Sequence, residues 1–181
     1  MSRIAPVSIS ASLPADQRAA ADAVAKAFGE VRGPYSILLH SPALTSKLIP
    51  LVPFMHHDCV VEEKLRLVAV LAAAREHDAV YVWSAQVNRA RKVGIRQELI
   101  DLVRAKGDSA GLPAEEREIV DYVRQLIRHH RVEQAVFDAL RKRHGEQWLV
   151  ELTAVLGYFG LVASVANAFE IPAPAGGDSL R

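Results

Sequence analysis

Residues 75–95, REHDAVYVWSAQVNRARKVGI, bring together several side-chain types that move protons or hold a ligand. The imidazole of His77 exchanges protons near neutral pH, because a histidine ordinarily titrates there. Tyr81, Trp83 and Gln86 add two aromatic rings and an amide to the same predicted helix. The segment is therefore a candidate active-site helix, or the wall of a ligand pocket.

His77 and Gln86 are the candidate catalytic residues of this segment. Either His77 and Asp78 form an acid–base pair at a pocket rim, or Asp78 is the N-cap of the helix and His77 is solvated. Gln86 is polar on an otherwise apolar face, so its amide needs a ligand, a water or another side chain. Tyr81 and Trp83 are candidate substrate-binding residues, with core packing as the alternative for both.

Other candidates lie outside this helix. His40, in LLHSP, is a third candidate catalytic residue, or else a helix-start histidine bonded to the backbone. Arg66 is a candidate carboxylate anchor, or else a partner in a surface or interface salt bridge. Tyr35 is a further candidate for substrate binding, and Tyr158 is a comparable, weaker one.

The segment His56–Cys59 contains two histidines, an acid and the single cysteine of the chain. His56 and His57 face either a pocket or an oligomer interface. Adjacent residues rarely point to one centre, so neither a metal site nor a nucleophilic cysteine is predicted here. We expect no metal and no cofactor.

Composition indicates one globular domain spanning residues 1–181. Apolar residues make up 50% of the 181 residues and charged residues 24%, which is enough apolar material for a sizeable core. The formal net charge of +1 gives no electrostatic basis for binding nucleic acid. We therefore expect no nucleic acid as a partner.

Cellular location is inferred from two features of the sequence. A single cysteine excludes an intrachain disulfide, and the first residues lack the apolar core of a signal peptide. Residues 152–169 carry no charge and approach the length of a membrane span, but they contain Thr, Tyr, Ser and Asn. We predict a buried central helix for this segment, no membrane contact and a cytoplasmic protein.

Helical periodicity dominates the chain, so the predicted fold class is all-α. A first helix is predicted from the Pro14–Asp16 start to about Val31, with GPYS at 33–36 as a break. Pro50 and Pro53 must interrupt any helix around them. The terminal segments 1–14 and 172–181 are predicted to be loose.

Four segments resemble the carboxymuconolactone decarboxylase family, which includes the alkylhydroperoxidase D-like proteins. They are GPYSILLHSPAL (33–44), the paired central helices of 62–95, the downstream pair of 115–145 and the closing helix of 148–174. Together these segments span most of 33–174. The resemblance implies a single-domain helical bundle of the alkylhydroperoxidase D-like type, assembled as a homo-oligomeric trimer or hexamer. It also implies that His40 borders the pocket.

Peroxidase-type members of that family carry a Glu, two Cys and a His on the central helix pair. Aligned without a gap, these positions correspond here to Leu67, Ala79, Val82 and Gln86. None of these four side chains can form a thiolate or relay a proton. The resemblance therefore implies a member with a degenerate motif, and it argues against thiol peroxidase activity.

Decarboxylase-type members lack the redox cysteines and use no cofactor. The resemblance implies lyase-like chemistry here: proton transfer, decarboxylation or isomerisation of a small anionic or aromatic-derived metabolite. Such chemistry needs an acid–base group and a cation for the substrate's carboxylate. The alternative is a non-catalytic member that binds a small molecule or serves as a structural subunit.

Overall fold

The chain was analysed as a computed structural model, which describes residues 2–8, 13–174 and 176–180. This part of the chain is helical and contains no strand, which confirms the all-α prediction. The described residues form nine α-helices, which are α1 (Ala15–Phe28), α2 (Gly33–Leu38), α3 (Pro42–Leu48), α4 (Glu63–Glu76), α5 (Val80–Lys92), α6 (Gln97–Arg104), α7 (Ala114–His129), α8 (Gln134–His144) and α9 (Glu146–Ala168).

Helix α4 lies at the centre of the bundle. All residues from 67 to 74 are 2% exposed or less, and the helix packs against α5, α7 and α9. A helix with apolar and small residues on every side can be buried in this way without leaving a polar side chain unpaired. The core therefore surrounds α4, and α5 and α9 lie beside it.

Helix α9 differs from the fully buried helix that the sequence predicted. By length and composition it is the one helix in the described chain that could cross a membrane, yet only half of its most apolar window is buried within the protein. One face contacts α4 and α5, whereas Val150 (67% exposed) and Leu161 (37% exposed) face outwards. The prediction of burial is thus correct for one face only.

Two local predictions around glycine, proline and aspartate were wrong. GPYS does not simply break the chain, because Gly33–Leu38 is itself a short helix with Pro34 in its first turn, where a missing N–H costs nothing. Asp78 is not an N-cap. It has a positive φ of 48°, and its carboxylate pairs with Arg75.

The prolines between α3 and α4 interrupt the helix as predicted. The chain passes through a 3₁₀ turn at Ile49–Leu51 and then a π turn at Phe54–Asp58. The π turn is closed by the N–H of Cys59, which donates to the Phe54 carbonyl at 3.1 Å. Single π turns are rare and often occur at functional sites, and this one carries His56.

The terminal segments, which the sequence predicts to be loose, contact the rest of the bundle where the structure describes them. Val7 N–H donates to Ser36 O at 2.9 Å. Near the other end, Asp178 pairs with Arg91 and Arg104, and Leu180 is 4% exposed. Residues 1, 9–12, 175 and 181 of these segments lie outside the described residues.

Candidate functional site

A pocket of about 340 Å³ opens between α1, α2, the π turn, α5 and α9. That volume is within the range usual for small-molecule sites. Apolar and aromatic side chains form most of its wall, interspersed with polar groups. Its lining residues are Ala27, Phe28, Arg32, Pro34, Tyr35, Val52, His56, His57, Tyr81, Val82, Ala85, Gln86, Arg89, Tyr158, Phe159 and Val162.

Two tyrosine hydroxyls meet in this pocket. Tyr35 on α2 and Tyr158 on α9 are both buried, and their hydroxyl oxygens are 2.6 Å apart. Burial raises the pKa of each phenol, so both are protonated at neutral pH. One hydroxyl donates to the other, and the second proton has no acceptor among the described residues. The pair therefore keeps one donor for a ligand.

His56 lies beside these hydroxyls, within a group of aromatic rings. Its ring centroid is 5.3 Å from Phe159, 5.8 Å from Tyr158 and 6.1 Å from Phe28. Burial, together with the nearby positive charges of Arg89 and Arg66, lowers the pKa of His56 from 6.5 to about 4. The imidazole is therefore neutral at physiological pH. Its ring nitrogens bond to no described residue.

Arg66 holds the π turn in place instead of facing the ligand space. The side chain is 5% exposed and does not line the pocket. Its guanidinium donates to the carbonyl of His56 at 2.5 Å and to that of Val61 at 2.9 Å, and it also contacts Cys59 Sγ at 3.3 Å. Its contacts with the described residues match neither the predicted carboxylate anchor nor the predicted surface or interface salt bridge. Arg66 fixes the backbone that carries His56.

The four positions that correspond to the peroxidase motif are divided between core and pocket. Leu67 and Ala79 are buried in the core at 2% and 0% exposure. Val82 and Gln86, which follow on α5, line the pocket. Gln86 is half-buried, and its amide bonds to no described residue. The amide is therefore available to a ligand in the pocket.

The charges around the pocket favour an anion. Arg89 and Arg32 line it, and no carboxylate is among its described lining residues. Arg89 binds Glu63 through Nε and Nη2, at 2.6 and 2.5 Å, and its Nη1 bonds to no described residue. Arg32 pairs with Glu30 at 3.0 Å. A negative group entering this apolar space would be drawn towards the arginines.

The structure brings together three of the seven predicted site residues: Tyr35, Tyr81 and Gln86 all line the pocket. His40 does not. It is exposed, and its Nε2 lies 2.9 Å from the carbonyl of Ala5. The implied position at the pocket is corrected, and the backbone-bonded alternative describes this histidine.

His77 and Trp83 also lie outside the pocket. His77 is half-buried against α9, with Nε2 3.5 Å from the point where a Cβ on Gly160 would lie, and its carbonyl accepts from Asn167 Nδ2 at 2.7 Å. Trp83 is 0% exposed in the core, with the Arg104 guanidinium 5.4 Å from its ring centroid. Core packing, the alternative for Trp83, is what the structure shows.

Sequence reasoning missed His56 and Arg89 as principal pocket residues and ranked Tyr158 low. His56 was one of two neighbouring histidines with no assigned side, because its orientation depends on the π turn. Arg89 was not among the predicted site residues. The signal that could have found it is spacing, since Val82, Gln86 and Arg89 follow one another at four and three residues on α5.

A larger cavity of about 530 Å³ lies between α7, α8 and α9, but few of its lining side chains could bind or react with a ligand. Its walls are mainly apolar, and the hydroxyl of Tyr122 is already bonded to Thr153 Oγ1 at 2.7 Å. Arg141 and Glu146 at its edge face each other at 4.0 Å. Nowhere in the described chain do three His, Cys, Asp or Glu side chains converge as a metal site requires. The pocket around His56 is therefore the candidate site.

Comparison with known proteins gives structural matches only. No protein-family model matches the chain, and no curated protein matches it. An uncharacterised peroxidase-related protein from Ralstonia eutropha, described as an alkylhydroperoxidase AhpD core, aligns with 97% of this chain and 93% of its own. It has 23% identity and a TM-score of 0.75. A peroxidase-related protein from Silicibacter sp. aligns with 98% of this chain and 97% of its own, at 15% identity and a TM-score of 0.75.

A third solved structure is the debrominase Bmp8, as a Cys-to-Ala variant in complex with 2,3,4-tribromopyrrole. It covers 95% of this chain and 92% of its own, at 12% identity and a TM-score of 0.71. Identities this low show the fold and leave the activity open. All three proteins share the arrangement of helices described above over almost the whole length of this chain. The chain therefore has the alkylhydroperoxidase D-like fold.

Proposed function

We propose that the pocket binds a small anionic, aromatic or aromatic-derived metabolite and catalyses proton transfer on it without a cofactor, as in isomerisation or decarboxylation. One observation carries the proposal. The imidazole of His56, the amide of Gln86 and one proton of the Tyr35–Tyr158 pair face the same largely apolar pocket and have no hydrogen-bond partner among the described residues. Buried polar groups are normally paired, so such a convergence is expected where a ligand supplies the partners.

Binding of the anion would begin at the arginine side of the pocket. Arg89 is paired with Glu63, but its Nη1 bonds to no described residue and lies at the pocket wall, where a charge interaction is stronger than in water. Phe28 and Phe159 would pack against a flat ring or conjugated system. Gln86 can donate to one oxygen of the ligand and accept from another group, which would fix its orientation.

Proton transfer would use His56 and the tyrosine pair in opposite roles. Neutral His56 accepts a proton from an acidic carbon, while the free hydroxyl of the pair donates to the neighbouring carbonyl oxygen. The ligand's negative charge raises the pKa of His56 from its low value in the empty pocket, which makes it a better base once the ligand is bound. In a decarboxylation, carbon dioxide leaves and the electron pair left on carbon takes up a proton instead.

The debrominase match supports a small aromatic ligand. That protein, with the same fold, was crystallised with a substituted pyrrole, a flat ring of the size this pocket would accommodate. The thiol chemistry of peroxidase-type members is not part of the proposal, because Ala79 and Val82 occupy the two cysteine positions.

The test uses purified protein and a panel of lactone acids and aromatic carboxylic acids. Turnover is followed by NMR in deuterated water, which detects both deuterium incorporation at carbon and loss of a carboxylate. His56→Gln and Tyr158→Phe should each reduce turnover by roughly 10²-fold or more, the usual contribution of a positioned acid or base. His40→Ala is the matched control, because that histidine lies outside the pocket, and it should keep wild-type turnover.

Turnover that survives both pocket substitutions would contradict the proposal. Peroxide reduction with thiol reductants, measured on the same protein, would contradict the exclusion of peroxidase chemistry.

A non-catalytic ligand-binding protein is the second candidate. The replacement of all four motif positions by Leu67, Ala79, Val82 and Gln86 favours it. Calorimetric binding of panel members without turnover of any of them would support this candidate. It would also explain the retention of a polar pocket without the family's redox residues.

A further inference from the structure

A cavity of about 350 Å³ adjoins the candidate pocket on the side of the amino-terminal segment, and it is called the second cavity below. It is distinct from the 530 Å³ cavity between α7, α8 and α9. The walls of the second cavity come from the amino-terminal segment, from residues 31–36 and from residues 171–174. They are mostly apolar, with Pro6, Val7, Val31 and Ile171 among them. Backbone hydrogen bonds hold the terminal segments in place, since Val7 N–H donates to Ser36 O and Arg3 N–H donates to Phe169 O, both at 2.9 Å. This cavity is therefore a feature of the folded chain.

Only Arg32 and Tyr81 belong to the described lining of both cavities. The Arg32 side chain is 60% exposed and is turned towards Glu30. Tyr81 is half-buried, so its ring forms the inner part of the wall. The two spaces are thus separated at this point by one aromatic side chain.

The ring of Tyr81 lies directly against the backbone of Gly33. Gly33 has a φ of +56°, and a Cβ at this position would overlap the phenol ring. The absence of a side chain at residue 33 is what allows Tyr81 to occupy this place. The Tyr81 hydroxyl bonds to no described residue, so packing alone holds the ring. Its removal would join the two cavities without breaking a hydrogen bond.

We propose that Tyr81 determines ligand length, and that the second cavity is a subsite for the apolar tail of an aromatic acid when this ring is displaced. The inference rests on the proposed function, because the acidic head must lie in the candidate pocket beside Arg89. Wild-type protein accepts a short ligand that ends at Tyr81. Without the ring, a longer tail passes Gly33 and lies among the apolar walls of the second cavity.

The test is isothermal titration calorimetry with a series of 4-n-alkylbenzoates, from methyl to octyl. Wild-type protein should gain about fourfold in affinity per methylene until the tail reaches Tyr81, and then lose affinity. Tyr81→Ala should shift this maximum to a longer tail by several methylenes. Tyr81→Phe keeps the ring and should keep the wild-type maximum.

A double variant locates the tail. Val31 lines the second cavity and not the first, so Val31→Phe in the Tyr81→Ala background should restore the short maximum. Thermal unfolding checks that each variant is folded, and Tyr81→Leu replaces Tyr81→Ala if the alanine variant is not.

Two results would overturn the inference in distinguishable ways. If wild-type protein shows a length maximum and the folded Tyr81→Ala or Tyr81→Leu variant shows the same one, Tyr81 does not set ligand length, and the proposed function is unaffected. If no benzoate binds wild-type or variant protein, the anion pocket itself is wrong and this inference fails with it.

Discussion

Two groups of polar side chains in this bundle differ in how they are paired. At the end of α4, the Glu76 carboxylate is 4% exposed and is surrounded by cations: Arg128 at 2.5 Å, Arg124 at 3.7 Å and Lys106 at 3.9 Å. In the candidate pocket, His56 and Gln86 bond to no described residue through their side chains. The first group is paired within the protein, whereas the second has no side-chain partner among the described residues.

This difference in pairing distinguishes residues that contribute to stability from residues available for binding or catalysis. Removing one partner from a buried charge network destabilises the native fold, because the remaining charge is left buried without compensation. Polar groups left without partners contribute little to stability, or reduce it, and they are retained where binding or catalysis needs them. Substitutions in the two groups should therefore have opposite profiles: lost stability with intact binding, or intact stability with lost binding.

The largest expected effect is at Glu76. Glu76→Gln keeps the shape of the side chain but leaves Arg124 and Arg128 without their carboxylate. We expect the free energy of unfolding to fall by about 3 kcal/mol, measured by urea denaturation followed by circular dichroism. Ligand affinity of the folded fraction should be unchanged.

The matched control for this substitution is Glu170→Gln. That carboxylate and its partner Arg3 are 58% and 61% exposed, so the change should be within the error of the measurement. Equal effects of the two substitutions would remove the distinction between a buried and an exposed network.

The next effect is the pH dependence produced by His56. Its pKa is about 4 in the folded protein and near 6.5 in the unfolded chain, so the unfolded state binds more protons between these values. The contribution of neutral His56 to the free energy of unfolding is fully present above pH 6.5 and is lost as the pH falls towards 4. We expect the free energy of unfolding to fall by on the order of 2 kcal/mol over this range. The full pKa shift would give more, but solvent screens the partly exposed ring.

His56→Gln should reduce the slope of unfolding free energy against pH in this window. Burial also lowers the pKa of His77, which contributes to the remaining slope in the same direction. An unchanged slope in His56→Gln would mean that the ring is not buried in the native state.

A smaller effect is expected for Gln86→Leu. Removing an unpaired amide from an apolar wall should leave stability unchanged or raise it by about 1 kcal/mol. The same substitution should weaken binding of an aromatic acid roughly tenfold, because one ligand hydrogen bond is lost. Thermal unfolding and calorimetry measure the two quantities, and a large loss of stability would show that Gln86 is paired after all.

The smallest effect is expected for Asp178→Asn, whose ion pairs are more exposed than those of Glu76 and less exposed than that of Glu170. The Asp178 carboxylate is 22% exposed and pairs with Arg91 at 2.5 Å and Arg104 at 2.8 Å. We expect a loss of less than about 1 kcal/mol, together with faster proteolysis of the carboxyl-terminal segment. Unchanged proteolysis would indicate that the Ser84 hydroxyl bond to the Asp178 carbonyl, at 2.6 Å, is sufficient to hold the segment.

Much of the fold could be predicted from the sequence because its helices have strong apolar periodicity. The two central helices expected within residues 62–95 are present as Glu63–Glu76 and Val80–Lys92. The candidate site was predicted less well. Tyr35, Tyr81 and Gln86 line it, whereas His40 and Trp83 do not. Residue type identifies side chains capable of chemistry, but the direction in which each one points depends on packing.

The sequence by itself determined the all-α class, the order of the helices and the absence of a cysteine pair on α5, because these follow from residue spacing and residue type. Only the tertiary structure decided which polar groups meet. His56, Tyr35 and Tyr158 are separated by many residues, and they converge because α2, the π turn and α9 pack together. Likewise, the sequence predicts that Arg66 binds a substrate carboxylate, but in the folded chain its guanidinium donates to the carbonyl of His56.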